Sequence, residues 1–148
     1  MQKKVKQTIV LADDDKWLVD LYGEKLRLEG YAVHTAHNAK DAYSLVLAHK
    51  PDLVLSDVVM AGGDGFYLLK KIKSNPDIQH IPVISLTNLS NDQDKEALFK
   101  WGTSDYLVKA DFTPSQVVER IRRLIEGEAK RGKNDDTLPK RAKIANKE

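Results

Sequence analysis

The chain has no cysteine, so disulfides and thiolate metal sites are excluded. That absence fits a reducing cytosol, and a cytoplasmic location is expected. Long apolar runs are missing as well. Residues 9–12 are apolar, but the run ends at once on Asp13, Asp14 and Asp15. A secretory core needs about 7–15 apolar residues and a spanning helix about 20. Neither a signal segment nor a membrane partner is therefore expected. The chain also lacks an excess of one charge. Net charge is +2, and residues 127–148 hold seven Lys/Arg against four Asp/Glu, which leaves 17 basic against 18 acidic groups in residues 1–126. The basic excess belongs to the tail, so the overall pI argues only weakly for nucleic acid. The tail cations Lys130, Arg131, Lys133, Lys140, Arg141 and Lys143 are interrupted by acids and lack stacking aromatics. That pattern disfavours a nucleic-acid arm. No segment repeats at a fixed period.

What the chain does have is alternation. Residues 8–12 form an apolar, β-branched run of the kind buried on both faces of a parallel sheet. Residues 15–29 follow with Leu18, Leu21, Tyr22 and Leu28 at helical spacing, and Gly30 supplies a stop. Residues 31–36 read as a second strand whose His34 and Thr35 suit a less buried, edge position. Asn38 can cap a helix to about His49. Residues 53–56 form a third strand ending on Asp57. The turn through Ala61, Gly62, Gly63, Asp64 and Gly65 leads to a helix over 66–73, and residues 81–86 form the fourth strand. Ser90 and Gln93 have capping-box spacing for a helix that ends near Gly102, packed with help from Phe99 and Trp101. Residues 106–108 make the fifth strand. Thr113, Pro114 and Gln116 start a last helix running to about Glu126. Strict βα alternation predicts an α/β fold: a doubly wound, five-stranded parallel sheet of order 2-1-3-4-5 with five helices, flavodoxin-like. Residues 1–126 are expected to form this domain. Residues 127–148 hold too little apolar surface to fold and are expected to be a basic, disordered tail.

Sites in open parallel sheets form beyond the carboxyl ends of the strands. Strand one delivers Asp13, Asp14 and Asp15, strand three Asp57, strand four Thr87 and strand five Lys109. A helix cap needs one aspartate, and three exceed that need. Crowded carboxylates persist when a hard cation compensates them. Oxygen ligands without His or Cys suit Mg²⁺, which combines one or two carboxylates with a phosphate. A carboxylate can itself attack phosphorus, and the transfer then needs in-line positioning and neutralised equatorial oxygens. Asp57 is the expected phosphoacceptor. His34, His37, His49 and His80 show no metal-ligand spacing and read as surface histidines.

With these residues in order, the chain resembles the response-regulator receiver domains of two-component signalling. The matching stretches are residues 9–15 (IVLADDD), 51–57 (PDLVLSD), 60–65, 81–87 (IPVISLT) and 105–109 (DYLVK), spread over residues 7–126. The resemblance implies that Asp57 accepts a phosphoryl group from a sensor histidine kinase or phosphotransfer protein. It implies Mg²⁺ held directly by Asp14, Asp57 and the Val59 carbonyl, with Asp13 acting through a bound water. Lys109 would pair with Asp57 and then with the phosphoryl oxygens. Thr87 would shift toward the phosphoryl group and Tyr106 would turn inward behind it, changing the surface of the fourth helix, fifth strand and fifth helix for an output protein still to be identified. Phosphorylation-dependent homodimerisation is open on this reading. With 22 residues after the receiver, a stand-alone phosphorelay regulator is expected, which catalyses its own phosphorylation and dephosphorylation and turns over no external substrate.

Three positions depart from the family pattern. Ala110 replaces a proline usually preceded by a cis peptide, and a cis bond before Ala costs about 3 kcal/mol. Ala61 replaces the proline after Met60, and Asn88 replaces a small residue after Thr87. Apolar Val59 and Asn88 beside the site predict slow loss of the phosphoryl group. The competing readings are a phosphorylation-independent scaffold on the same fold and an aspartyl-nucleophile phosphatase. The phosphatase needs a second Asp two residues after the nucleophile, where this chain has Val59. A nucleotide or flavin module would need a phosphate-cradling loop where this chain has three aspartates.

Overall fold

The computed structural model of the chain describes residues 6–60, 65–88 and 92–133, with side chains to Gly127. The elements run β1 Thr8–Ala12, α1 Lys16–Leu28, β2 Ala32–Ala36, α2 Ala39–His49, β3 Leu53–Asp57, α3 Gly65–Lys73, β4 Val83–Thr87, α4 Asp92–Lys100, β5 Asp105–Val108 and α5 Pro114–Lys133. The five strands pair in parallel in the order β2-β1-β3-β4-β5. Strand order, parallel pairing and helix number agree with the sequence reading.

Alternation along the strands sorts the core into two layers. Ile9, Leu11, Leu53, Leu55, Ile84, Leu86 and Leu107 point to one face, where α1 and α5 cover them with Tyr22, Leu26, Val117 and Ile121. Val10, Ala12, Val54 and Val83 point to the other, under α2, α3 and α4. Central β1, β3 and β4 are almost wholly buried, whereas β2 at the sheet edge is only partly so. The hydroxyl and imidazole groups of β2 are thereby left near water, which is why that strand tolerates them.

Local chemistry fixes the helix ends. Asp15 caps α1, its carboxylate accepting from the Trp17 and Leu18 amides. Asn38 accepts from Asp41 N–H at 2.7 Å to start α2. Thr113 and Gln116 cap α5 reciprocally, at 2.8 and 3.1 Å. The Ser90 capping box falls outside the described residues.

Several expectations are corrected. The buried stripe of α1 is Val19, Tyr22, Gly23 and Leu26, while Leu28 is 80% exposed and Leu21 half-buried. The inward face is thus rotated from the one that leucine spacing suggests. β4 starts at Val83, two residues later than expected, because Pro82 has no N–H to give a ladder. Leu98 is the fully buried residue of α4, and Phe99 and Trp101 are partly covered, at 38% and 41% exposure. α5 continues to Lys133, seven residues past the expected end, so residues 127–133 are helical; residues 134–148 lie outside the described part. Among the described residues, no peptide bond is cis, and no helix is long and apolar enough to cross a membrane.

Candidate functional site

The parallel register brings the four strand ends to one edge of the sheet. Ala12 is level with Ser56, Asp57 with Leu86, and Thr87 with Val108. The residues that follow these positions converge. Asp13, Asp14 and Asp57 each present a carboxylate oxygen, and the three oxygens lie within 4.8 Å of one another. Asp13 and Asp57 are buried and Asp14 is exposed. Lys109 enters from the end of β5, with Nζ 2.9 Å from Asp13 Oδ2 and 3.2 Å from Asp57 Oδ2. The expected Lys109–Asp57 pair is therefore shared, and Asp13 holds the shorter bond. Thr87 is buried at the tip of β4.

Backbone groups complete the setting. Asp13 Oδ1 accepts from Asp15 N–H at 3.0 Å, and Asp57 Oδ1 accepts from Val59 N–H at 3.3 Å. The Gly65 amide, the first residue of α3, donates to the Val58 carbonyl at 2.7 Å. A Cβ on Gly65 would overlap the Asp57 carbonyl oxygen, with the Asp57 carbonyl carbon at 2.8 Å and Val58 Cα at 2.9 Å. α3 thus begins pressed against the strand end that carries Asp57, and only glycine permits it. The sequence places Gly65 in a turn, and its glycine-rich spelling is the one hint of this close approach. His37 has no such hint. Its Nδ1 lies 3.3 Å from the Asp13 carbonyl oxygen, so it must carry the proton there and act as donor.

Burial and charge act on these groups in opposition. Burial raises the Asp57 pKa, the neighbouring Asp13 charge raises it further, and Lys109 pulls it back only in part, leaving it at about 6. For Lys109, burial works against the charge, but the hydrogen bond and charge of Asp13, followed by Asp57, outweigh it and hold the pKa above 10.5. Burial also raises the Tyr22 pKa, with Lys109 lowering and Asp13 raising it, so the phenol stays neutral beside these charges.

The remaining sequence-selected residues lie nearby. Val59 is 57% exposed at the rim, and Asn88 is exposed beyond Thr87. Tyr106 lies level with Ser85 on β4, packed against the core layer under α2, α3 and α4. Thr87 is two residues along from Ser85, on the same face. The Lys109–Ala110 peptide is trans and opens a short 3₁₀ turn over Lys109–Asp111.

The sequence pattern of the response regulator receiver domain matches residues 9–122. An uncharacterised 14.6 kDa protein of Leptolyngbya boryana, encoded in the sodA1 3′ region, is 37% identical over 122 residues, which span 82% of this chain and 90% of that one. Among solved structures, a candidate response regulator from Chloroflexus aurantiacus J-10-fl is 30% identical with a TM-score of 0.75, covering 82% of this chain and 99% of the other. The receiver domain of Francisella response regulator 1452 is 28% identical with a TM-score of 0.75, covering 83% and 99%. The sequence pattern, the sheet order and the acidic strand ends agree, and the chain belongs to the response regulator receiver domain family.

Proposed function

We propose that the chain is a phosphorelay receiver in which Asp57 takes a phosphoryl group from a histidine kinase or phosphotransfer protein, with Mg²⁺ as cofactor. The observation that carries this is the trio of carboxylates, two of them buried, within 4.8 Å and facing a single lysine. The donor set fits a hard cation, being all oxygen with no nitrogen or sulfur. Asp14, Asp57 and the Val59 carbonyl would hold it, with Asp13 acting through a bound water. When bound, it offsets negative charge on the transferring group.

The chain's own groups then have distinct tasks. One Asp57 oxygen forms a bond to phosphorus as the phosphorus–nitrogen bond of the donor imidazole breaks, and the imidazole keeps the electron pair. Val59 N–H orients the carboxylate through its bond to Oδ1. Lys109, already poised between two carboxylates, offers its ammonium to the phosphoryl oxygens. Thr87 supplies a hydroxyl at the same edge. Because Thr87 and Tyr106 share a face on adjacent strands, a shift of Thr87 opens or closes room for the Tyr106 ring. α4, which buries only Leu98, is the covering helix with the least to hold it in place. The α4–β5–α5 surface is the proposed output, and phosphorylation-dependent pairing of two copies is one use of it. The receiver occupies residues 1–126, with α5 extending beyond.

The test is labelling with acetyl phosphate and Mg²⁺, read by intact mass. One phosphoryl group per chain is expected, and none in Asp57→Ala. Retained labelling in that variant would overturn the assignment.

A further inference from the structure

The flank centred on α3, between α2 and α4, lies away from the acidic edge and meets the proposed output surface only at α4. It carries a row of lysines interleaved with aromatic rings. Lys70 Nζ sits 4.9 Å from the Phe66 ring centre and 5.2 Å from that of Trp101, and Lys71 Nζ sits 4.9 Å from that of Tyr43. Tyr67, about one turn before Lys70 and Lys71 on α3, is 47% exposed. The rings come from three elements and converge on adjacent lysines of one. Such pairs occur about once per 70–80 residues in proteins generally, so three on one face form a concentration.

Among the described residues, the charges of Lys70 and Lys71 have no ion-pair partner. The ion pairs among the described residues lie at the acidic edge, between β5 and α5, or along α5 itself. On α5 the guanidinium groups of Arg122 and Arg123 are matched by Glu119 and Glu126. Among the described residues, Lys70 and Lys71 have no carboxylate partner of this kind. A lysine normally loses much rotamer freedom when it is fixed, and that loss cancels most of a surface ion pair. Here each ammonium group already lies over a ring within cation–π range, which favours that position. A carboxylate arriving from outside meets positioned charges and keeps the ring contacts behind them.

We infer that this lysine–aromatic row on α3 docks an acidic segment of a partner protein, with Lys70 and Lys71 receiving its carboxylates and Tyr67 and Trp101 flanking it. Nucleic acid fits less well, because base stacking needs open ring faces and the Phe66, Trp101 and Tyr43 faces hold ammonium groups.

The test uses the full chain, labelled with ¹⁵N, titrated with a hexaglutamate peptide and separately with a thymidine oligonucleotide. The peptide is expected to shift amides of residues 66–75 and 99–102. The double substitution Lys70→Gln, Lys71→Gln should weaken binding by about tenfold, or about 1.4 kcal/mol, while Lys70→Arg, Lys71→Arg retains it. Both lysines are exposed, so an unchanged spectrum elsewhere shows that the fold is kept. Shifts confined to the end of α5, equal affinity in the glutamine variant, or a stronger response of these amides to the oligonucleotide would each overturn the inference.

Discussion

Asp57 is expected to destabilise the metal-free protein at neutral pH, so replacing it with asparagine should make the apoprotein more stable. Its pKa rises from 3.8 to about 6 on folding because burial and the Asp13 charge outweigh Lys109. Raising a carboxyl pKa means that the folded state binds its proton more tightly than the unfolded chain does. Stability from this group is then full below pH 3.8 and is lost as pH rises through about 6. At about 1.36 kcal/mol per pKa unit, the full penalty above that pH is about 3 kcal/mol. The site is partly open to solvent, and screening reduces this to about 1–2 kcal/mol. In Asp57→Asn the amide oxygen still accepts from Lys109, and the charge is gone. For a domain of this size each kcal/mol moves Tm by about 3–6 °C. Unfolding in EDTA at pH 7.5 should therefore show the variant melting several degrees above the wild type. The gap should shrink as pH falls through about 6 and vanish only below 3.8, where Asp57 is protonated in both states. Millimolar MgCl₂ should also narrow it, by stabilising the wild type more. A variant that melts below the wild type in EDTA at pH 7.5 would refute the reasoning, because the Lys109 attraction would then exceed the burial cost.

Three further outcomes are expected. Lys109→Ala should raise the Asp57 pKa above 6, since it removes the group that pulls it down; ¹³C carboxyl titration reads this, and a fall would contradict the geometry. Gly65→Ala should lower unfolding free energy in urea by at least about 2 kcal/mol, because a Cβ there meets fixed backbone that cannot move aside. The acetyl-phosphate-labelled protein should lose its phosphoryl group slowly after the donor is removed, because Val59 at the rim offers no polar atom to orient an attacking water; decay within seconds would contradict this.

The site was more legible in the sequence than the helix faces were. Asp13, Asp57, Thr87 and Lys109 are each adjacent to or at the end of an apolar run, and parallel pairing alone carries such ends to one edge. That inference needs topology and no packing detail. The split of labour among the three aspartates was less visible. Asp15 caps α1 and Asp13 is buried against Lys109, while Asp14 stays exposed, and these differences arise from the turn into the helix. Leucine spacing misplaces the α1 face because the buried positions are Val19, Tyr22, Gly23 and Leu26, of which Leu26 alone is a leucine. A leucine count cannot register a face built mainly from other residues. The extension of α5 to Lys133 was missed for a similar reason. Gly127 and Gly132 are poor helix formers, but Glu, Ala, Lys and Arg between them favour the helix.

Lys109 spans Asp13 and Asp57 with Asp14 beside them, so three carboxylates face one ammonium and the pocket carries about −2 once all are ionised. A phosphodonor is itself an anion, and this pocket repels it. The same field attracts a divalent cation, whose arrival brings the local charge near zero. On the proposed function, the acidic edge would set an order of entry, cation before phosphate, and would make free divalent cation a condition on how fast a donor is admitted.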